Sequence, residues 1–182
     1  MTMLQDIPLT RLDGGADSLA AHRGKVLLIV NVASKCGLTP QYEGLEKLFE
    51  DKRGAGLEVL GFPANNFKEQ EPGSDADIAD FCSSTYNVQF PMFSKVSVVG
   101  ADQHPLYAQL TKAQPAAIGE GPHRARLESF KIPTNAAPDI LWNFEKFVVG
   151  RGGEIVARFS PDVTADDPRL VSVLDAELAK SA

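Results

Sequence analysis

Residues 25–37 read Lys25-Val-Leu-Leu-Ile-Val-Asn-Val-Ala-Ser-Lys-Cys36-Gly37. From Lys25 to Ala33 the run is apolar and rich in β-branched residues, as in a central strand covered on both faces. A short polar turn follows. From Gln41 to Lys52, Tyr42, Leu45, Leu48 and Phe49 recur at helical spacing, with Glu43, Glu46, Lys47 and Glu50 between them, and Gly54 and Gly56 end the segment. This strand–turn–helix unit predicts that Cys36 sits beside unpaired backbone N–H groups at the start of the helix, where a thiolate is favoured over a thiol.

Outward from this unit, Leu57 to Phe62 reads as a second buried strand, parallel to the first because a crossover helix separates them. A polar loop, Pro63 to Gly73, leads to Ser74, an N-cap for a helix to about Tyr86, with Asp77 completing a variant capping box. Met92 to Val99 reads as a third strand and His104 to Lys112 as a short helix with Leu106, Tyr107 and Leu110 on one side. Pro115 to Pro138 has no sustained period and reads as an irregular excursion. Trp142 to Val149 and Glu154 to Phe159 form a hairpin through Gly150-Arg-Gly-Gly, and an amphipathic helix runs from about Asp167 to Lys180 with Leu170, Val171, Leu174 and Leu178 facing inward. At the start of the chain, Pro8 to Asp13 and Ser18 to Ala20 suit an edge hairpin turned at Gly14-Gly15. The sum is an α/β protein, a small central mixed sheet with helices on both faces, and the thioredoxin-like fold is the economical choice. A flavodoxin-like sheet would need more parallel strands where this chain offers a hairpin.

The 182 residues suit one domain, 1–182, and the net charge of −6 opposes a main role in binding nucleic acid or an anionic membrane. The longest apolar stretch is too short to span a bilayer and the first residues lack the pattern of a signal peptide, so the expected location is the cytoplasm. In a reducing compartment the two cysteines, Cys36 and Cys82, predict a transient rather than a structural disulfide, although a free cysteine is often just a small buried hydrophobe. His22, His104 and His123 are scattered, with no metal-ligand spacing, and no phosphate-binding glycine loop is present; neither metal nor cofactor is expected.

Five blocks carry a resemblance: Asn31-Val-Ala-Ser-Lys-Cys-Gly-Leu-Thr, Phe62-Pro-Ala-Asn-Asn-Phe, Gln70-Glu-Pro-Gly-Ser, Phe90-Pro-Met-Phe-Ser-Lys-Val and Trp142-Asn-Phe-Glu-Lys-Phe. In this order they resemble the motifs of the glutathione peroxidase family, in its cysteine-containing bacterial form. The resemblance implies that Cys36 is the peroxidatic residue and that Gln70, Trp142 and Asn143 surround its sulfur. It implies an antioxidant thiol peroxidase that reduces hydrogen peroxide and organic, including lipid, hydroperoxides, with thioredoxin or glutathione as reductant. Attack of a thiolate on an O–O bond needs donors for the peroxide, and an indole N–H with two carboxamides supplies them. The sulfur becomes a sulfenic acid that another thiol must reduce.

Taken singly, a strand Trp is most often core, a loop Gln most often solvated, and Lys35 is as readily a solvated side chain as a charge partner of the sulfur. In relatives that recycle through thioredoxin, a resolving cysteine falls at the position of Ser83, one residue after Cys82. On a helix one residue is a rotation of about 100°. Two readings of Cys82 therefore stand, resolving cysteine and buried structural residue. Arg124, Arg126, Lys131 and Arg151 are candidates for engaging the carboxylates of glutathione. In longer relatives the segment matching Pro115 to Pro138 contributes to subunit contacts, which implies a homo-oligomer, and a loop shielding the site rim is the other reading. A peroxide sensor that relays a disulfide to a partner protein would use the same sulfur chemistry.

Overall fold

The computed structural model describes residues 2–182. Strands β1 (Leu9–Thr10) and β2 (Ala16–Asp17) form a short antiparallel ribbon; Ser18 to Ala20 do not extend it, because Leu19–His22 turn into a 3-10 helix. β3 (Val26–Val32), α1 (Gln41–Lys52) and β4 (Leu57–Pro63) form the expected unit, every residue of both strands being buried. After these come α2 (Asp75–Tyr86), α3 (Pro105–Ala113), α4 (Pro122–Ser129), β5 (Lys146–Val149), β6 (Ile155–Phe159) and α5 (Pro168–Leu178). The main sheet has the order β4-β3-β5-β6, with β3 parallel to β4 and the other neighbours antiparallel. Among the described residues no helix is long and apolar enough to cross a membrane.

The sheet is covered on both faces, which is why β3 shows no polar alternation. Phe62 pairs in register with Asn31 and Phe147 with Ile29, so the two rings share a face, and Tyr107 of α3 stands edge-on to both at 6.0 and 6.2 Å. On the opposite face Phe90 lies over Gly61, the partner of Val30, and packs in turn on Tyr42 and Phe49 of α1. A Cβ at Gly61 would collide with the Met92 sulfur, so the 90–93 segment can press on β4 only because that position has no side chain. This is the thioredoxin-like architecture.

Three further local expectations are corrected. Met92 to Val99 is not a strand: only Met92 and Phe93 make single bridges, to Gly61 and Arg11. Its later amides go to separate acceptors, Ser94 N–H to the Thr10 carbonyl, Lys95 N–H to Asp75 Oδ1 and Val96 N–H to the Pro63 carbonyl, so no ladder forms. The strand expected from Trp142 begins only at Lys146, because Phe144 has φ 68°, in the left-handed region that ends extended pairing. The excursion from Pro115 to Pro138 contains α4, whose only buried residues are His123 and Leu127. One apolar side chain per two turns leaves no visible period.

The capping box at Ser74 forms as read, Asp77 N–H donating to Ser74 Oγ at 3.2 Å and Ser74 N–H to Asp77 Oδ2 at 3.0 Å. Arg158 of β6 fixes both ends of the excursion. Its guanidinium, 3% exposed, bonds Glu145 Oε2 at 2.7 Å and the carbonyls of Gln114, Pro138 and Asp139 at 2.9, 2.8 and 3.1 Å.

Candidate active site

Cys36 lies in the turn after β3 and its residue is 9% exposed. Thr39 shapes that turn: its hydroxyl donates to the Ala33 carbonyl at 2.8 Å and accepts the Cys36 N–H at 3.0 Å. The turn is thereby closed on itself, and the Leu38 N–H donates to Cys36 Sγ at 3.3 Å. An amide aimed at sulfur is the donor that negative charge there requires. The sequence places such donors at the start of α1, but α1 begins five positions beyond Cys36, at Gln41, and the turn itself supplies the amide.

Gln70 comes from the loop after β4, where Lys68 and Glu69 both take left-handed φ values, 52° and 51°. Two successive non-glycine residues in that region are strained backbone of the kind found at functional sites. The loop is tied to the cysteine turn by the Lys35 N–H, which donates to the Gln70 carbonyl at 3.0 Å. The Lys35 side chain is exposed, in keeping with the solvated reading.

Trp142 and Asn143 precede β5. Asn143 is fully buried and its Nδ2 donates to Gln70 Oε1 at 2.8 Å, which orients the Gln70 carboxamide. Asn31, the penultimate residue of β3, holds this segment from below: its Nδ2 donates to the Trp142 carbonyl at 3.1 Å, and its own carbonyl accepts the Phe144 N–H at 2.6 Å. Phe67 packs on the Trp142 indole at 5.2 Å between ring centres. Beneath, Lys146 donates to the carbonyls of Phe144 and Pro161, and burial pulls its ammonium down to about 7.

Cys36, Gln70 and Trp142 line one pocket of about 190 Å³, together with Gly37, Leu38 and four residues of the 115–138 excursion: His123, Arg126, Leu127 and Ile132. The structure thus brings together three of the four residues named from sequence at the pocket wall, and joins Asn143 to it through Gln70. Asn31, Thr39 and His123 were missed as site residues. Asn31 carried a weak sign, a polar residue in an otherwise apolar strand, and His123 carried none.

The remaining sequence candidates fall elsewhere. Cys82 is 3% exposed on the inner face of α2, while Ser83 beside it is exposed, as the helical rotation between them requires. Burial pushes the Cys82 thiol up, and the adjacent Tyr42 hydroxyl offsets this in part. Arg151 is spent on the carbonyls of Gly24, Ala55 and Leu178, and Arg124 on Glu120 and the Asn135 carbonyl. Of the four basic candidates only Arg126 lines the cysteine pocket. Among the described residues no group of three His, Cys, Asp or Glu is placed to hold a metal ion.

A thioredoxin-like sheet with a cysteine in the turn after its first long strand, walled by a carboxamide and an indole, defines a thiol-dependent oxidoreductase. Residues 4–111 match the Glutathione peroxidase family. Thioredoxin/glutathione peroxidase BtuE of Escherichia coli (strain K12) is 49% identical over 185 residues, 97% of this chain and 100% of that protein. Hydroperoxy fatty acid reductase gpx1 of Synechocystis sp. is 45% identical over 161 residues, 86% of this chain and 88% of that one. The crystal structure of T. cruzi GPX1 superposes with a TM-score of 0.69 at 30% identity, covering 97% of both chains. The chain belongs to the glutathione peroxidase family and is a peroxidase.

Proposed function

We propose that the enzyme reduces hydrogen peroxide and organic hydroperoxides through Cys36. The thiolate attacks the terminal oxygen of R–O–O–H, an S–O bond forms as the O–O bond breaks, and RO⁻ leaves and is protonated to ROH. Gln70 and Trp142 offer the donors that hold the peroxide oxygens, and Asn143 positions Gln70. The observation that carries this reading is the shared pocket: a buried sulfur with an amide donor at 3.3 Å, facing a carboxamide fixed at 2.8 Å by a second buried carboxamide.

A pocket of about 190 Å³ has room for a hydroperoxide group and not for a long acyl chain, which would extend out of it past the apolar wall residues Leu38 and Ile132. The name of the Synechocystis relative supports fatty acid hydroperoxides as substrates. The name of the E. coli relative supports thioredoxin and glutathione as reductants, of which thioredoxin is favoured here, because only one of the four basic candidates lines the pocket. In this cycle Cys82 attacks the Cys36 sulfenic acid, giving water and a Cys36–Cys82 disulfide that thioredoxin reduces. With Cys82 buried, that step requires α2 to open locally.

One experiment tests both cysteines: turnover of wild type, Cys36→Ser and Cys82→Ser with each reductant, and mass spectrometry after one equivalent of peroxide. Cys36→Ser is expected to be inactive with both, and wild-type turnover by it would overturn the mechanism. Cys82→Ser is expected to lose turnover with thioredoxin. A stable sulfenic or glutathionylated Cys36 with Cys82 still alkylatable would remove the resolving role and leave that of Cys36 intact.

A further inference from the structure

We infer that His123 carries the proton of the peroxide-reduction step, a role that rests on the reading of Cys36 as the peroxide-reducing thiol. The reaction must remove a proton from the Cys36 thiol and deliver one to the leaving oxygen, and Gln70, Trp142 and Asn143 are neutral groups that do neither at ordinary pH. Among the residues that wall the pocket, His123 is the one whose ordinary titration range suits both transfers.

Its placement is that of a working group rather than of a packed core residue. The residue is 6% exposed, it lines the same pocket as Cys36, and its Nε2 is buried with no hydrogen-bond partner in the protein. Buried polar atoms are almost always paired, so an unpaired one on a residue that walls the cysteine pocket is free for a transient partner. Gly121, with φ 133°, and Pro122 start α4 at the point that brings His123 and, one turn later, Arg126 and Leu127 to the pocket.

The charged groups that face the ring are Arg126 on its own helix, Lys146 of β5 and Asp162 after β6. Burial holds the imidazole below its ordinary range, against the pull of Asp162 and with the help of Arg126 and Lys146. It is therefore neutral at neutral pH and ready to accept. His123 takes the thiol proton; the thiolate attacks the terminal oxygen of R–O–O–H; the S–O bond forms and the O–O bond breaks. RO⁻ then recovers the proton from the imidazolium as ROH, leaving the sulfenic acid and a neutral ring. Thiol and hydroperoxide are the only reactants consumed.

Trp142 is the one tryptophan in the chain and lines the pocket, so its fluorescence follows oxidation of Cys36 in a stopped-flow mixing experiment with hydrogen peroxide. His123→Asn is expected to oxidise about 100-fold more slowly near neutral pH, with the deficit narrowing as pH rises and hydroxide takes over the removal of the thiol proton. His123→Gln, which keeps hydrogen bonding but does not titrate, should behave alike; it stands in if the shorter side chain unfolds α4. In the wild type the rate should fall as pH drops through a value under about 6.5, where the ring becomes protonated before it can accept. Wild-type rates in either folded variant, a deficit equal at every pH, or no acid limb in the wild type would overturn the inference. Peroxide consumption by Cys36→Ser in the same assay would instead sink the reading of the sulfur on which it rests.

Discussion

Replacing Arg158 by Met isolates the contact that holds the 115–138 excursion, and with it α4, against the sheet. The guanidinium and the Glu145 carboxylate are 3% and 1% exposed, and the pair closes at 2.6 Å. Removing one partner of so buried a pair strands the other charge, a loss of about 3–5 kcal/mol. The carbonyls of Gln114, Pro138 and Asp139 lose their donor as well, but these lie nearer the surface and water recovers part of that loss. The stranded carboxylate thus dominates, and neutralising it should restore stability: Arg158→Met with Glu145→Gln is expected to be at least about 1 kcal/mol more stable than Arg158→Met alone. Urea unfolding followed by Trp142 fluorescence measures both. The loss should come with faster proteolysis between Gln114 and Pro138, since both ends of that segment are released. A cost under about 1 kcal/mol for Arg158→Met, or a double variant less stable than the single one, would refute the assignment of the pair as the anchor.

Asn143→Leu keeps the volume of the buried side chain but removes the donor to Gln70 Oε1, and is expected to lower kcat/KM for peroxide by roughly 2- to 10-fold, the equivalent of one neutral hydrogen bond. An unchanged value in steady-state assays would show that Gln70 needs no such support. His22 lies between Glu58 and Asp17, and hydrogen bonding to Glu58 leads the effects that raise its imidazole above the ordinary value of 6.5. Its contribution to stability is therefore fully present below that value and is lost as pH rises through the raised one. Urea midpoints of wild type and His22→Gln should differ most near pH 6 and converge at roughly pH 9; a gap that widened toward alkaline pH would contradict the sign.

The strand–turn–helix unit around Cys36 is legible because its information is local. The apolar run Val26 to Val32 can only be a strand covered on both faces, Tyr42, Leu45, Leu48 and Phe49 recur at a helix period, and Ser74 with Asp77 writes its own cap. Cys36, Gln70, Trp142 and Asn143 were legible as residues because they stand inside motifs, although nothing in their spacing says that 106 positions of chain close up between the first and the third. The rotation that turns Cys82 inward and Ser83 outward also follows from helix geometry once α2 is known.

What the sequence could not carry is the identity of partners across the fold. Periodicity marks which face of an element is buried and is silent about what buries it. Asn31 reaches Trp142, Arg158 reaches three carbonyls far along the chain, and the amides of Ser94, Lys95 and Val96 each find a different acceptor, so a segment that reads as a strand is not one. Only two residues of α4 are buried, too few to form a period, yet one of them is the histidine at the cysteine pocket. The sequence by itself determined the β-α-β frame and the sulfur at its turn, because both depend on residues a few positions apart. The tertiary structure alone decided that Asn31 braces the site and that His123 faces it, because those contacts join segments whose approach is set by the packing of the whole sheet.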